Sequence, residues 1–267
     1  MRRLLVLLPA ALLLTGCKRT HIEGEWQGTD TILYITQYKD LGWNIIDSTR
    51  THSGMFHWSG RLTGRLVYGL SANPRDRHPA PFLADAPTLH IRLWQSNQIA
   101  VTPTPGNTLL HNTLATDFLP DTLVDRHPGS PVAAFIAARL LTASLPYDSL
   151  LALRQRLKLS HPYVRELDET LQALRNVHPG SFAPPVEGIQ LRDTTLLFFH
   201  ATWCPDCQEE WQLVNAYLAS HPAVRLAALD IDSIHWDGDL ARAYAVRRVP
   251  TLYLVANGKT LPLPPCL

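Results

Sequence analysis

Long runs of like charge are missing from this chain. Its 24 Lys and Arg stand against 23 Asp and Glu, a formal net charge of +1 over 267 residues. The charge pattern therefore gives no support for nucleic acid or an anionic membrane surface as partner. Charged residues are scarce at 18% and hydrophobic ones plentiful at 46%, a balance that excludes disorder and fits a globular protein. The N-terminal apolar run, Leu4 to Leu14, falls short of the ~20 residues a membrane-spanning helix needs. Cysteines number only four, and the Cys204–Cys207 pair has no second Cys-x-x-Cys to complete a zinc site. From about His21 to Phe118 no cluster of acids, histidines or glycines forms a recognisable active site. What is abundant is turn chemistry: 21 prolines and 14 glycines imply many turns and few long helices.

The length suits two domains. Met1-Arg2-Arg3 followed by the apolar run and Leu14-Thr15-Gly16-Cys17 has the layout of an export signal. It resembles the lipobox of bacterial lipoproteins, which implies cleavage after residue 16 and lipid attachment at Cys17. Several acyl chains on one residue would make a stable anchor. Lys18, rather than Asp, after that cysteine favours the outer membrane by resemblance to sorting signals, with the protein in the periplasmic space. Cys204 and Cys207 then work in an oxidising compartment, and Cys266 is left as an incidental terminal thiol.

From 17 to 118 the pattern is β-rich. Thr31–Thr36, Gly54–Trp58, Arg65–Tyr68 and His90–Trp94 are short runs of β-branched and aromatic residues between turn formers, which predicts an antiparallel sandwich or small barrel. From 119 to 180 the period becomes helical, a connector of two or three helices. Ser130 caps one that begins with Pro131 and faces Val132, Phe135, Ile136 and Leu140 inward. Another starts near Ser160 and Pro162 and repeats Val164, Leu167, Leu171 and Leu174. Ala183-Pro184-Pro185 reads as a linker. Residues 181–267 alternate strand and helix, an α/β sheet. Thr195–Phe199 is a continuous apolar strand, a helix begins at the Cys-x-x-Cys, and Val224–Leu229 is a second buried strand. Leu240–Ala245 is a short helix, Thr251–Val255 a third strand, and Asn257-Gly258 a hairpin turn. Pro262 puts the last strand at an edge.

Two cysteines two residues apart at a helix start carry the chemistry. Unsatisfied N–H groups and the helix dipole favour negative charge at Cys204, which places its thiol below the free value of about 8.5. Cys207, one turn inside, is the resolving thiol. A structural disulfide, or half a zinc site with His200, His221 or His235, are the competing readings of the pair. His200 suits a satisfied core or edge histidine better than a catalytic base, and Trp203 serves either packing or substrate contact.

The stretch Phe199-His200-Ala201-Thr202-Trp203-Cys204-Pro205-Asp206-Cys207-Gln208-Glu209-Glu210 resembles the active site of the TlpA/ResA-like thioredoxins, including a Glu three residues after the second cysteine. Val249-Pro250-Thr251 resembles the family's second signature, a proline after a cis bond whose loop packs on the cysteines. The resemblance implies a thioredoxin-like C-terminal domain and substrate contacts from Trp203, Val249 and Pro250. Ile22-Glu23-Gly24, Asp47-Ser48-Thr49 and Gly54–Gly60 resemble a β domain of unknown function that precedes thioredoxin domains in many lipoproteins. Three departures stand out. Phe198 sits where thioredoxin has a buried Asp, which leaves Asp206 and Glu210 as the nearest candidates for proton transfer. His200 replaces a usual aromatic, and Leu267 comes where a closing helix would follow.

The function expected on these grounds is a membrane-anchored thiol–disulfide oxidoreductase reducing exported proteins. It needs no cofactor beyond the Cys204–Cys207 disulfide and no metal, and it draws electrons from a membrane donor. Asp206 opposes thiolate formation and so favours a reducing couple. The alternatives are a scaffold lipoprotein whose β domain does the main work and, less well supported, a peroxiredoxin-like enzyme.

Overall fold

The computed structural model describes residues 19–39, 42–115, 120–235 and 238–264. Cys17, the leader before it and Cys266 lie outside the described residues. Strict alternation builds the first unit. In β1 (Thr20–Gln27), Ile22 and Trp26 point inward while His21, Glu23 and Gln27 point out, the period of two that a half-buried strand requires. With β4 (Met55–Gly60), β7 (Thr88–Trp94) and β8 (Ile99–Val101) it forms a sheet ordered β4-β1-β7-β8. The facing sheet is β3-β2-β5-β6, from β3 (Gly42–Arg50), β2 (Ile32–Lys39), β5 (Val67–Ser71) and β6 (Ala80–Leu83). Ile22, Leu33, Ile35, Phe56, Trp58, Leu70, Phe82 and Ile91 from both inner faces close one core, which makes the unit a sandwich. A Cβ at Gly24 would collide with the Phe56 ring and the Ile91 carbonyl, so glycine is required there. The sandwich departs from the antiparallel expectation at one place. β1 and β7 pair in parallel, from His21↔Thr88 to Gln27↔Trp94, because the chain crosses into the second sheet and returns between them.

Helices begin earlier and are more numerous than the sequence suggested: α1 (Pro105–Ala115), α2 (Pro120–Arg126), α3 (Pro131–Arg139), α4 (Tyr147–Arg156) and α5 (Pro162–Asn176), with a 3-10 turn at Leu141–Ala143. In α1 the buried contact is polar, and hydrophobic periodicity cannot report it. Asn107 Oδ1 accepts the Leu83 N–H at 2.8 Å while its Nδ2 donates to the Leu83 carbonyl at 3.0 Å. Ser130 caps α3 by accepting from the Val132 N–H, and α5 starts at Pro162 with His161 as its cap. Leu140 turns outward, 41% exposed. Phe135, Leu150, Tyr163, Leu167 and Leu171 join Tyr38 and Val67 in a core shared with the sandwich.

The last unit is a four-stranded sheet ordered β10-β9-β11-β12, built from β9 (Thr195–His200), β10 (Arg225–Asp230), β11 (Thr251–Ala256) and β12 (Lys259–Leu261), with α6 (Pro205–Ser220), α7 (Ile231–Ile234) and α8 (Asp239–Ala243). β10 runs parallel to β9, and β11 and β12 run antiparallel. β9 is buried throughout apart from partly buried His200. One of its faces packs Phe198 on Trp211 of α6, and the other packs Phe199 on Tyr244. β10, expected to be buried, is an edge strand that exposes Arg225 and Ala228. Asn257 and Gly258 both take positive φ in the turn to β12, as a two-residue hairpin demands. The presumed linker is docked. Ala183 N–H donates to the Gly258 carbonyl at 2.9 Å, and Tyr244 Oη donates to the Pro184 carbonyl at 2.7 Å.

Candidate active site

β9 delivers the chain to the sheet's end at His200, and four residues later Cys204 caps α6 ahead of Pro205. Proline at the first helical position lacks the N–H that would go unsatisfied there. The Cys204 sulfur accepts the Cys207 N–H at 3.1 Å. The two cysteines are joined by a disulfide with their Cα atoms 5.2 Å apart, and both are buried, 5% and 4% exposed. The Val249–Pro250 bond is cis, and the Val249 carbonyl oxygen lies 3.6 Å from Cys204 Sγ. Residues far apart in sequence thus meet at one sulfur. A disulfide in this setting can exchange two electrons with a dithiol through a mixed disulfide.

Trp203 is 48% exposed and held from two sides. Its indole N–H donates to Asp232 Oδ2 at 2.6 Å, and the Arg77 guanidinium sits 4.4 Å from its ring centroid. Arg77 also ion-pairs with Asp232 at 3.1 Å. Asp232 is placed by Asp230, which ends β10 and caps α7 by accepting the Asp232 N–H. Among the proton-transfer candidates, Asp206 is exposed. Glu210 has one carboxylate oxygen, Oε1, buried without a hydrogen-bond partner among the described residues. His200 packs its ring 5.3 Å from Phe198 and 5.5 Å from Trp211. Phe198 is fully buried. Among the described residues no three His, Cys, Asp or Glu converge as metal ligands would.

Residues 181–262 match the thioredoxin family. The C-terminal part is a thioredoxin domain. Thioredoxin-1 of Saccharomyces cerevisiae is 34% identical over 61 residues, 23% of this chain. The chain spans 56% of that curated relative's length. Among solved structures, mitochondrial thioredoxin 3 of Saccharomyces cerevisiae in its oxidized form shares 26% identity over 27% of this chain and 67% of its own, with a TM-score of 0.24. Fasciola hepatica thioredoxin shares 26% identity over 27% of this chain and 65% of its own, with a TM-score of 0.23.

Three residues beside this thioredoxin site escaped the sequence reading: Arg77, Asp232 and Arg247. Arg77 belongs to the loop between β5 and β6. Arg247 lies two residues before Val249 and hydrogen-bonds Thr170 of α5. Its Nε and Nη1 are buried without a hydrogen-bond partner among the described residues. Burial pushes the guanidinium below its ordinary range, against the opposing pull of the Glu166 charge. No local pattern marks such a residue, because its burial comes from packing between units. No helix among the described residues is long and apolar enough to cross a membrane.

Proposed function

We propose that the chain is a membrane-anchored, extracytoplasmic thiol–disulfide oxidoreductase that reduces exported proteins through Cys204 and Cys207. The observation that carries this is the Cys204 sulfur at the N-terminus of α6, within reach of the Cys207 N–H and the Val249 carbonyl. In the reduced form that N–H and the helix dipole stabilise a Cys204 thiolate. The thiolate attacks one sulfur of a substrate disulfide, forming a mixed disulfide and releasing the other substrate sulfur as a thiolate. The Cys207 thiolate then attacks Cys204 Sγ, closing the Cys204–Cys207 disulfide and releasing the second substrate thiolate. Two electrons pass to the substrate, and its two thiolates take up the two protons given up by the enzyme's dithiol. A membrane thiol donor returns two electrons and two protons to the enzyme.

Trp203 and the Val249–Pro250 edge form the substrate-facing rim. Glu210, with its unpartnered oxygen, is placed one turn beyond Cys207 to accept the Cys207 proton. Asp206 in the ring disfavours negative charge at Cys204 and biases the couple toward reduction, so a measured potential near the strong-oxidant value of about −120 mV would contradict that direction. Lipid attachment at Cys17 would hold the domain at a periplasmic membrane face, the outer membrane on the Lys18 signal.

Insulin reduction by the full chain, with dithiothreitol as donor, tests the activity. Cys204→Ser is expected to bring turbidity onset back to the uncatalysed time, whereas equal activity of wild type and variant refutes the dithiol mechanism. If both are inactive, the scaffold alternative, with the β domain as working module, takes its place.

A further inference from the structure

The sandwich does more than precede the thioredoxin domain. The loop between β5 and β6 reaches the active-site rim, where Arg77 covers Trp203 and pairs with Asp232. Between this loop, the end of α3 and the thioredoxin domain runs a cleft of about 550 Å³. It is bounded by Trp203, the residue before Cys204, and by Arg247, two residues before the carbonyl that lies against Cys204 Sγ. The cleft is thus lined by residues one and two positions from those that meet at the Cys204 sulfur, and its volume suits a few side chains of a polypeptide.

Its charge is one-sided. Four arginines line it, Arg75, Arg77, Arg139 and Arg247, against two aspartates, Asp76 and Asp232. Both aspartates are already engaged. Asp76 accepts from Ser71, Asn97 and the His78 N–H, and Asp232 from Trp203 and Arg77. Arg139 lies over the rings of Tyr38 and Trp43 and donates to the Arg77 carbonyl, which holds its charge in place without cancelling it. Arg247 buries two nitrogens that lack an acceptor, within the field of Glu166 and Glu169 but with burial as the dominant influence. Arg247 adds its charge to the wall of the cleft, and exposed Arg75 on the same wall can give an incoming carboxylate a charge-assisted hydrogen bond.

We propose that this cleft docks an acidic segment of the disulfide-bearing substrate protein, so that the β domain and the Arg247 side chain select the substrate. The proposal rests on the oxidoreductase reading and deepens it. Arg77 forms the rim of the cleft, while Arg75, Arg139 and Arg247 supply the charge that the docked carboxylates meet.

The test uses the full chain, reduced beforehand, and two disulfide peptides identical except for two Glu or two Lys beside the cysteines. Single-turnover reduction is expected to favour the acidic peptide by about tenfold or more, the gain of one well-made charged hydrogen bond. That ratio is expected to fall toward unity at high salt, because salt screens exposed charges. It should also fall in Arg247→Gln and Arg139→Gln, and Arg247→Lys should restore part of it. Arg75→Gln, in an exposed loop, gives a variant whose folding is not at stake and should lower the ratio by a smaller factor. Anisotropy of a labelled Glu peptide with serine in place of cysteine reads docking apart from chemistry. Tight binding of that peptide while neither disulfide peptide is reduced would sink the oxidoreductase reading and uphold the cleft. Equal rates on the two peptides, a ratio untouched by all the variants, or displacement by inorganic phosphate as complete as by the peptide would overturn the docking proposal.

Discussion

The sandwich with its helical connector and the thioredoxin domain treat buried polar atoms differently. Asn107 is buried at the connector's start and fully used, its carboxamide bonded to the Leu83 backbone, Asp85 and Thr104. The partnerless buried atoms of the sandwich, Thr36 Oγ1, Trp43 Nε1 and Ser59 Oγ, are all neutral. In the thioredoxin domain they include the carboxylate of Glu210 and the guanidinium of Arg247. A neutral orphan costs about 1–3 kcal/mol and a charged one more, so stability alone gives no reason to retain the second kind. The sandwich uses its polar groups to hold shape, and the thioredoxin domain leaves one oxygen of Glu210 and two nitrogens of Arg247 without a partner among the described residues, although Arg247 also bonds Thr170. That is the pattern expected where protons or ligands are handled.

The comparison breaks most readily at Asn107. Asn107→Leu keeps the volume but strands the Leu83 N–H and carbonyl in the interior, a loss of about 2–4 kcal/mol given the usual cost of each unmade bond. It should appear as a lower denaturant midpoint at unchanged slope. Glu210→Gln is the opposite case. Removing a half-buried charge that has no partner should leave the midpoint within about 0.5 kcal/mol of wild type or raise it. The same change should slow release of the mixed disulfide by about tenfold or more, a usual loss for a general base. Quenched-flow trapping of the mixed disulfide measures it. If the stability costs came out in reverse order, the division drawn between the two regions would be wrong.

How much of this was legible in the chain depends on where each residue's environment comes from. β9 was readable because both of its faces are covered and the run Thr195–Phe199 is apolar throughout. β3 was not, because its strand is mostly exposed and carries no alternation. β10 looked buried by composition, yet it occupies an edge, and a strand's place in the sheet order is not written in its own residues. α1 was invisible to periodicity because Asn107 and Thr113 are among its buried positions. At the site, Cys204, Cys207 and the family resemblance of Val249-Pro250 pointed to groups that the structure brings together at one sulfur. The Arg77–Trp203–Asp232 contact and the orphaned nitrogens of Arg247 arise only when the units pack, and no local sequence signal announces them.

The smallest effect separates the two regions by pH. His161 is buried at the seam between sandwich and connector. Its Nδ1 accepts the Tyr163 N–H at 3.2 Å and its Nε2 lies 2.6 Å from the Arg65 carbonyl. These partners assign the neutral tautomer protonated at Nε2, since a second proton would point at the Tyr163 N–H. Burial holds the imidazole below its ordinary value, with the hydrogen bond to the Arg65 carbonyl opposing and the charges of Arg65 and Arg165 adding to the depression. The unfolded chain therefore takes up a proton near the ordinary value of about 6.5 while the folded chain does not. The contribution is whole above that value and is lost as pH falls through it toward the folded one. His161→Asn keeps a capping acceptor and removes the titration. Its unfolding midpoint should decline less than that of wild type between about pH 7 and 5, by a slope worth at most about one proton. The pH profile of disulfide exchange should be the same for both proteins, because the hydrogen bonds of His161 go to Tyr163 and Arg65 and not to Cys204. Parallel midpoint curves would remove His161 as the source of acid sensitivity. A shifted exchange profile would show that the seam and the reactive sulfur are coupled.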